Sequence, residues 1–451
     1  MVEKNKEYVV EIIDNGYEGE GIAKIDDFTV FIPGVIQGET CKILIVKVNK
    51  NFAYGKVIEI ISKVKSRKEV DCTTYKRCGG CDLRHIDYEY TLKMKQAIVQ
   101  NLVNKTLSKN IEVQPTIGMK KPYYYRNKLQ YPIGKNEEGK VVMGVFAKRT
   151  HEIIPVENCL IQNRQAQEIA REFVKLMNEQ HISIYDETNG TGAIRHIVVK
   201  VGVHTNEIMC MFVTNEEKIE NEEMLVKKLI AKFPNVKTII KNINQRNTNV
   251  ILGNRNVILY GNGYIEDKLG EYTLKISPMS FYQTNPIQTE VLYNKAIEFA
   301  RLNKDDVLCD LYCGIGTIGI FASPYVKKVY GIEIVEEAIE MAKENAVLNR
   351  IDNIEFMAGD VEKVFEAMLQ EKNVMPDAII VDPPRRGLDN TTIETILKLG
   401  VSRLVYVSCN PATMVRDLKL LEEKYEIKEI QPVDMFPFTN GIECVTGLQI
   451  K

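Results

Sequence analysis

The chain reads as an α/β protein. Its C-terminal part is a doubly wound parallel sheet, preceded by a small β-barrel and a mixed α+β central segment that carries a cysteine cluster. Three observations predict this. Residues 7–61 alternate in the strand period between clustered glycines. Three cysteines then fall within ten residues, at 72, 78 and 81. From residue 288, apolar strands ending at Leu311, Ile332, Phe356, Val381 and Val407 alternate with helical stretches, which implies a parallel sheet with helices on both faces. The divisions fall at 1–62, 63–265 and 266–451.

With 451 residues, 45% hydrophobic and 27% charged, the chain is long enough for two or three domains and too apolar to be disordered. No apolar run approaches the ~18 residues that span a bilayer. The opening residues lack the apolar segment of a secretory signal, so a cytoplasmic protein is expected, monomeric and without membrane association. In that compartment ten cysteines argue for metal or redox chemistry rather than disulfides. No histidine follows His204, which removes a histidine base from a site built wholly in the C-terminal half. The net charge of −2 hides an asymmetry: residues 1–150 carry 26 Lys and Arg against 18 Asp and Glu, the remainder 33 against 43. A basic N-terminal third suits a polyanion such as RNA.

The first strands are Tyr8–Ile13, Phe28–Ile32, Cys41–Val46 and Phe52–Ile60, punctuated by Gly16, Gly19, Gly21, Gly34 and Gly38. So many short strands predict a closed barrel. With Lys63, Lys65, Arg67 and Lys68 beside it, nucleic-acid binding is favoured over a ligand-free β domain. Residues 86–108 read as a helix, and 115–265 as short strands with two helices near 162–178 and 220–232. The stretch Lys120–Lys128 interleaves cations with aromatics. Arg126 and Lys128 therefore either contact phosphates beside a stacking platform or form the charged outer face of a half-buried strand.

Cys72, Cys78 and Cys81, spaced x5 and x2, supply three soft ligands and need a fourth from elsewhere. Structural zinc uses paired C-x2-C spacings, and only one pair is present. An iron–sulfur cluster is the leading reading, with zinc the alternative.

At the end of the first C-terminal strand, Gly314-Ile315-Gly316-Thr317-Ile318-Gly319 lets a ligand approach the backbone, and Glu333 ends the next strand where ribose hydroxyls would donate. This Rossmann-like pattern says adenosine cofactor, nicotinamide dinucleotide or S-adenosylmethionine alike. Asp360, Asp382 and Cys409 fall at the following strand ends, in the same crevice. A carboxylate and a cysteine there suit nucleophilic catalysis better than hydride transfer. Any proton acceptor has to be Glu443, Asp382 or Asp434.

The motifs Ser280-Phe281-Tyr282-Gln283-Thr284-Asn285, Asp310-Leu311-Tyr312-Cys313-Gly314, Asp382-Pro383-Pro384-Arg385 and Ser408-Cys409-Asn410-Pro411 resemble those of the RNA (uracil-5-)-methyltransferase family. Its 23S ribosomal RNA branch, with a TRAM barrel and a [4Fe–4S] cluster, is the most similar. The resemblance implies Cys409 as nucleophile and Glu443 as base. It implies Gln283, Tyr312, Gly314, Gly316, Glu333, Asp360 and Asp382 around S-adenosylmethionine, and Phe281 and Asp382 next to the target base. Cys159 becomes the fourth cluster ligand. The family's final motif carries histidines where this chain has Phe438 and Gly441. The chemistry implied is addition of a thiolate to uracil C6, methylation at C5, and loss of the C5 proton. Cys409 needs surroundings that favour the thiolate, since an ordinary thiol has a pKa of ~8.5. Transfer RNA is the alternative substrate, and a non-catalytic RNA chaperone or assembly factor the alternative role. A cytosine-C5 enzyme would carry a Pro-Cys motif where Pro383-Pro384-Arg385 stands.

Overall fold

The computed structural model describes residues 2–147 and 150–451. The first sheet contains β1 (Glu7–Glu11), β2 (Asp14–Asn15), β3 (Gly21–Ile25), β4 (Phe28–Ile32), β5 (Thr40–Val48) and β6 (Phe52–Ser62), in the order β1-β5-β6-β4-β3-β2. One continuous segment, 7–15, pairs with β5 through its first half and with β3 through its second, which closes the strip into the expected barrel. Alternate positions point inward, so Val30 and Ile32, and Cys41, Ile43 and Ile45, fill its core. Two cations expected on an RNA face are engaged within the protein instead. Arg67 forks the buried Glu39 at 2.5 and 2.7 Å, and Lys68 pairs with Asp87 at 2.7 Å.

Helix α1 (Tyr88–Thr106) begins at Asp87, whose side chain accepts from the Glu89 amide. By sequence it belongs to the central segment. In the structure Ile98, Val99 and Val103 pack in the C-terminal core instead.

The central sheet comprises β7 (Lys128–Lys135), β8 (Val141–Phe146), β9 (Ile153–Pro155), β10 (Ile194–Val201), β11 (Ile208–Thr214), β12 (Val236–Ile243) and β13 (Arg255–Gly261), in the order β13-β12-β11-β10-β7-β8-β9. Helices α2 (Arg164–Glu179) and α3 (Glu222–Lys232) cover one face. Ala166, Ile169, Ala170, Phe173 and Met177 recur at helical spacing along α2, and Phe173 stacks on Phe212 at 4.5 Å. The other face, through Val198, Met209, Met211 and Ile240, shares a core with the C-terminal part.

There the hairpin β14 (Ile265–Leu269) and β15 (Tyr272–Ile276) leads through α4 (Pro286–Ala300) into β16 (Val307–Leu311), α5 (Thr317–Ala322), β17 (Lys328–Glu333), α6 (Glu336–Leu348), β18 (Ile354–Ala358), α7 (Val361–Lys372), β19 (Ala378–Val381), α8 (Asn390–Leu399), β20 (Arg403–Ser408), α9 (Pro411–Leu421), β21 (Tyr425–Val433) and β22 (Glu443–Ile450). The sheet order is β18-β17-β16-β19-β20-β22-β21, with β22 antiparallel to both of its neighbours. The order reverses between β16 and β19, so a crevice opens at their carboxyl ends. Asn345 and Asn349, one turn apart on α6, hydrogen-bond the edge backbone of β15 and so satisfy its free groups. Among the described residues no helix is long and apolar enough to cross a membrane.

Candidate active site

The loop after β16 reverses through left-handed backbone at Tyr312 (φ 67°), Gly314 (φ 55°) and Gly316 (φ 80°). The two glycines serve different ends. A Cβ on Gly316 would lie 2.5 Å from Phe356 Cζ, whereas one on Gly314 would meet nothing within 4 Å. Packing against Phe356 requires a glycine at 316, and Gly314 borders open space. The Glu333 carboxylate accepts from the Gly314 amide and the Val335 amide, both at 3.1 Å, which fixes it at the rim of that space. Asp360 follows β18, adjoining Gly359, whose amide bonds the Glu333 carbonyl at 2.9 Å. Tyr312 donates its hydroxyl to Asp389 at 3.3 Å.

At the neighbouring strand end, register brings together residues far apart in the chain. Ser408 pairs with Cys444 across β20 and β22, so Cys409 and Glu443 lie side by side at the sheet edge where Asp382 ends β19. Burial lifts the Asp382 carboxyl to about 7. Burial and the nearby Asp382 push Glu443 well above the usual carboxylate range. The Cys409 thiol is pushed up to about 11, by burial first and then by Glu443 and Asp382, with Arg385 opposing. The expected thiolate-favouring site is therefore not supplied by the chain's own groups, since burial first, and the two carboxylates after it, outweigh one guanidinium. A cationic sulfonium in the crevice would tip that balance.

The nucleophile loop is held by polar side chains. The Asn410 amide donates to Ser408 Oγ at 3.1 Å. Asn410 Nδ2 donates to the Arg385 carbonyl at 3.0 Å, and Asn410 Oδ1 accepts from the Ala412 amide at 3.2 Å.

Asp434 drops out as a proton acceptor. Both its oxygens are occupied, one by Lys95 Nζ at 2.6 Å and the other by the Tyr88 hydroxyl at 2.8 Å. Phe438 and Gly441, where the resemblance led to histidines being expected, are packing positions. The Phe438 ring (φ 65°) lies under the Arg84 guanidinium at 4.5 Å, and its carbonyl accepts from the Asp82 and Leu83 amides at 3.1 and 3.0 Å. The Gly441 carbonyl accepts from Lys95 Nζ at 2.7 Å.

The segment 277–285 is held from the central sheet, which sequence reasoning missed. Lys200 Nζ donates to the carbonyls of Ser277, Pro278 and Ser280 at 2.9–3.0 Å. Asn127 binds the carbonyls of Gln283 and Thr284 at 3.0 and 2.9 Å. Gln283 is thereby buried, while Phe281 stands 69% exposed at the same segment. Nothing in a lysine on a strand or an asparagine just before one signals such a role.

Cys72, Cys78, Cys81 and Cys159 line a single cavity of about 220 Å³ with Arg84, Arg126, Tyr131 and Gln162. Among the described residues no three His, Cys, Asp or Glu side chains converge into a metal-holding group, so the thiols stand around the cavity wall without a shared centre. Four buried polar atoms of that wall have no partner: Arg84 Nη1, Arg126 Nε, the Tyr131 hydroxyl and Gln162 Oε1. Three of them, the two guanidinium N–H groups and the Tyr131 hydroxyl, are donors that fit a group whose sulfurs carry negative charge, while Gln162 Oε1 is an acceptor. Arg126 thus faces the cysteine cavity rather than an outer phosphate-binding surface. Lys128 is half-buried, its ammonium pKa lowered by burial and by Arg126. Of the stretch Lys120–Lys128 only Lys128 enters a strand, β7, while Lys120, Lys121 and Tyr123 stand exposed before it.

Residues 87–451 match the family model of tRNA (uracil-5-)-methyltransferases, and residues 2–58 that of the TRAM domain. An uncharacterised RNA methyltransferase of Oceanobacillus iheyensis is 45% identical over 453 residues, covering 100% of this chain and 98% of its own. One from Staphylococcus aureus is 45% identical over 451 residues, covering 100% and 99%. The crystal structure of Pyrococcus abyssi tRNA (uracil-54, C5)-methyltransferase with S-adenosyl-L-homocysteine matches with a TM-score of 0.77 at 26% identity, over 97% of this chain and 99% of that one. The chain therefore belongs to the tRNA (uracil-5-)-methyltransferase family and is an S-adenosylmethionine-dependent RNA methyltransferase with an N-terminal TRAM domain.

Proposed function

We propose that the protein methylates C5 of a uridine in 23S ribosomal RNA, in the cytoplasm, with Cys409 as nucleophile and Glu443 as base. The observation that carries this reading is the register that sets Cys409 beside Glu443 and Asp382, on the sheet edge that also holds Gly314 and Glu333. Gln283, Tyr312, Gly314, Gly316, Glu333, Asp360 and Asp382 would hold S-adenosylmethionine, which supplies an electrophilic methyl group.

The Cys409 thiolate adds to C6 of the ring and generates an enolate whose C5 takes the methyl group, leaving S-adenosylhomocysteine. Glu443 then accepts the C5 proton, and elimination breaks the sulfur–C6 bond and returns the thiolate. Burial raises the Glu443 carboxyl, so it binds the C5 proton firmly once it has entered that step ionised. The target uridine has to leave its stack, and exposed Phe281 offers a ring to the vacated space.

Cys72, Cys78, Cys81 and Cys159 are assigned to a [4Fe–4S] cluster of structural role, with zinc the alternative. The sequence Cys81-Asp82-Leu83 leads directly to the two amides that grip the Phe438 carbonyl. A cluster there would steady the turn that leads to Glu443.

Transfer RNA is the second reading, favoured by the match along the full chain to an enzyme of tRNA uracil-54. Incubation with methyl-labelled S-adenosylmethionine and separated ribosomal and transfer RNA from a strain lacking the gene distinguishes them. Label in 5-methyluridine of large-subunit RNA is expected. The same nucleoside from tRNA alone replaces the substrate, and no label in either sinks the enzymatic reading. Cys409→Ala should lose both the label and the covalent adduct to 5-fluorouridine RNA.

A further inference from the structure

A short turn of the barrel, residues 16–20, meets the catalytic sheet. It is rigid in itself, with the Gly16 amide bonded to the Glu20 carbonyl at 2.7 Å and the Gly19 amide to the Gly16 carbonyl at 3.0 Å. The Tyr17 hydroxyl donates to Asn410 Oδ1 at 2.9 Å, 393 residues away in sequence. Asn410 is the residue after Cys409, and its amide nitrogen in turn holds the Arg385 carbonyl. At the next residue of the turn, the Glu18 carbonyl accepts from Asn440 Nδ2 at 3.5 Å, on the loop that leads into Glu443. Gly19 (φ 81°) allows this approach: a Cβ there would press on Leu83 at 2.7 Å and face Asn440 at 3.9 Å.

We infer that this turn of the barrel completes the catalytic site: it clamps the nucleophile loop to the base loop, and Tyr17 is a positioning residue that holds Cys409 through Asn410. The inference rests on the assignment of Cys409 and Glu443 above. A tyrosine serving only to dock the barrel would bury its ring. Tyr17 is instead 42% exposed, and its specific contact is the hydroxyl on Asn410. The barrel thus acts on the reacting groups as well as on RNA. An RNA held by the barrel is presented to a nucleophile whose loop the barrel itself orders.

Tyr17→Phe removes the hydroxyl and keeps the ring. Two measurements on the full-length protein test the clamp. One is single-turnover methyl transfer at saturating RNA and S-adenosylmethionine, with KM for RNA measured separately. The other is the rate of Cys409 alkylation by iodoacetamide, mapped by mass spectrometry. A lost hydrogen bond predicts a turnover roughly 2- to 12-fold slower with KM for RNA unchanged, and Cys409 alkylated faster as its loop loosens. Gly19→Val should do the same by unseating the turn. Unchanged Cys409 alkylation in Tyr17→Phe overturns the clamp whatever the activity, and a change confined to KM for RNA overturns it by making Tyr17 an RNA contact. If the wild-type chain labels no RNA while the alkylation rate still responds to Tyr17→Phe, the methyl-transfer reading fails and the clamp stands.

Discussion

Lys95 Nζ lies 2.6 Å from Asp434 Oδ1, and the two side chains are 1% and 0% exposed. The pair joins α1 to the segment after β21. The same ammonium also binds the Phe436 and Gly441 carbonyls at 3.2 and 2.7 Å, so it staples the turn that leads to Glu443. Replacing Lys95 by Met leaves a buried carboxylate without its counter-ion, which costs about 3–5 kcal/mol. Urea unfolding of Lys95→Met should show a loss of that size, with Lys95→Met/Asp434→Leu recovering much of it. A loss within ~0.5 kcal/mol would mean that the pair holds nothing together.

Asp310 makes stability depend on pH in a direction opposite to that of most carboxylates. It is fully buried, and burial raises it to about 7 in the folded protein. The unfolded chain releases that proton near pH 4. Between those values the folded state holds more protons, so stability falls as pH rises through that window and levels off above pH 7. Asp310→Asn keeps an acceptor for the Gly319 amide, which now bonds Oδ2 at 2.8 Å. Denaturation curves at pH 4 and pH 8 should show the variant gaining on wild type at the higher pH, by up to about 4 kcal/mol at 1.36 kcal/mol per unit. Parallel curves at the two values would remove Asp310 as the source.

The Cys409 thiol, held up to about 11 in the chain alone, should be alkylated faster with rising pH, roughly tenfold per unit through the neutral range. Adding S-adenosylmethionine should bring the apparent pKa down through its sulfonium charge, whereas S-adenosylhomocysteine, which lacks that charge, should not. Equal effects of the two ligands, measured by mass-spectrometric mapping of the alkylated cysteine, would place the sulfonium too far away to matter.

The cysteine cavity predicts about four irons per chain after anaerobic purification, with a visible absorbance that dithionite bleaches. Cys81→Ser should lose the iron and the colour, and Arg126→Leu should shift the reduction potential by removing a donor from the cavity wall. Zinc in place of iron by metal analysis would turn the site into a structural zinc centre.

The strand–helix alternation after residue 288 was legible because parallel strands buried on both faces leave unbroken apolar runs, and the chemistry-bearing residues follow directly on those runs. The ends expected at Leu311, Ile332, Phe356, Val381 and Val407 lie within two residues of the ends of β16 to β20. The placement of α1 was not legible. Its amphipathic spacing says that one face is buried and says nothing of which core buries it. Arg126 was ambiguous for the same reason, since a cation beside aromatics reads alike whether it faces phosphate or a cysteine cavity. Lys200 shares β10 with Arg195 and His196, so its cation gave no sign of the three carbonyls it binds.

The sequence by itself determined the strand–helix order, the glycine loop after β16, the closure-prone strands of the barrel and the identity of Cys409 as an unusual thiol at a strand end. These are local properties: periodicity, backbone freedom at glycine and motif spacing are written within a few residues of one another. Only the tertiary structure decided that Glu443 stands beside Cys409, that Asp434 is sequestered by Lys95, and that Tyr17 reaches Asn410. Each joins residues from elements distant in the chain. Their proximity is set by strand order and by which apolar faces find each other during packing, which no local pattern encodes.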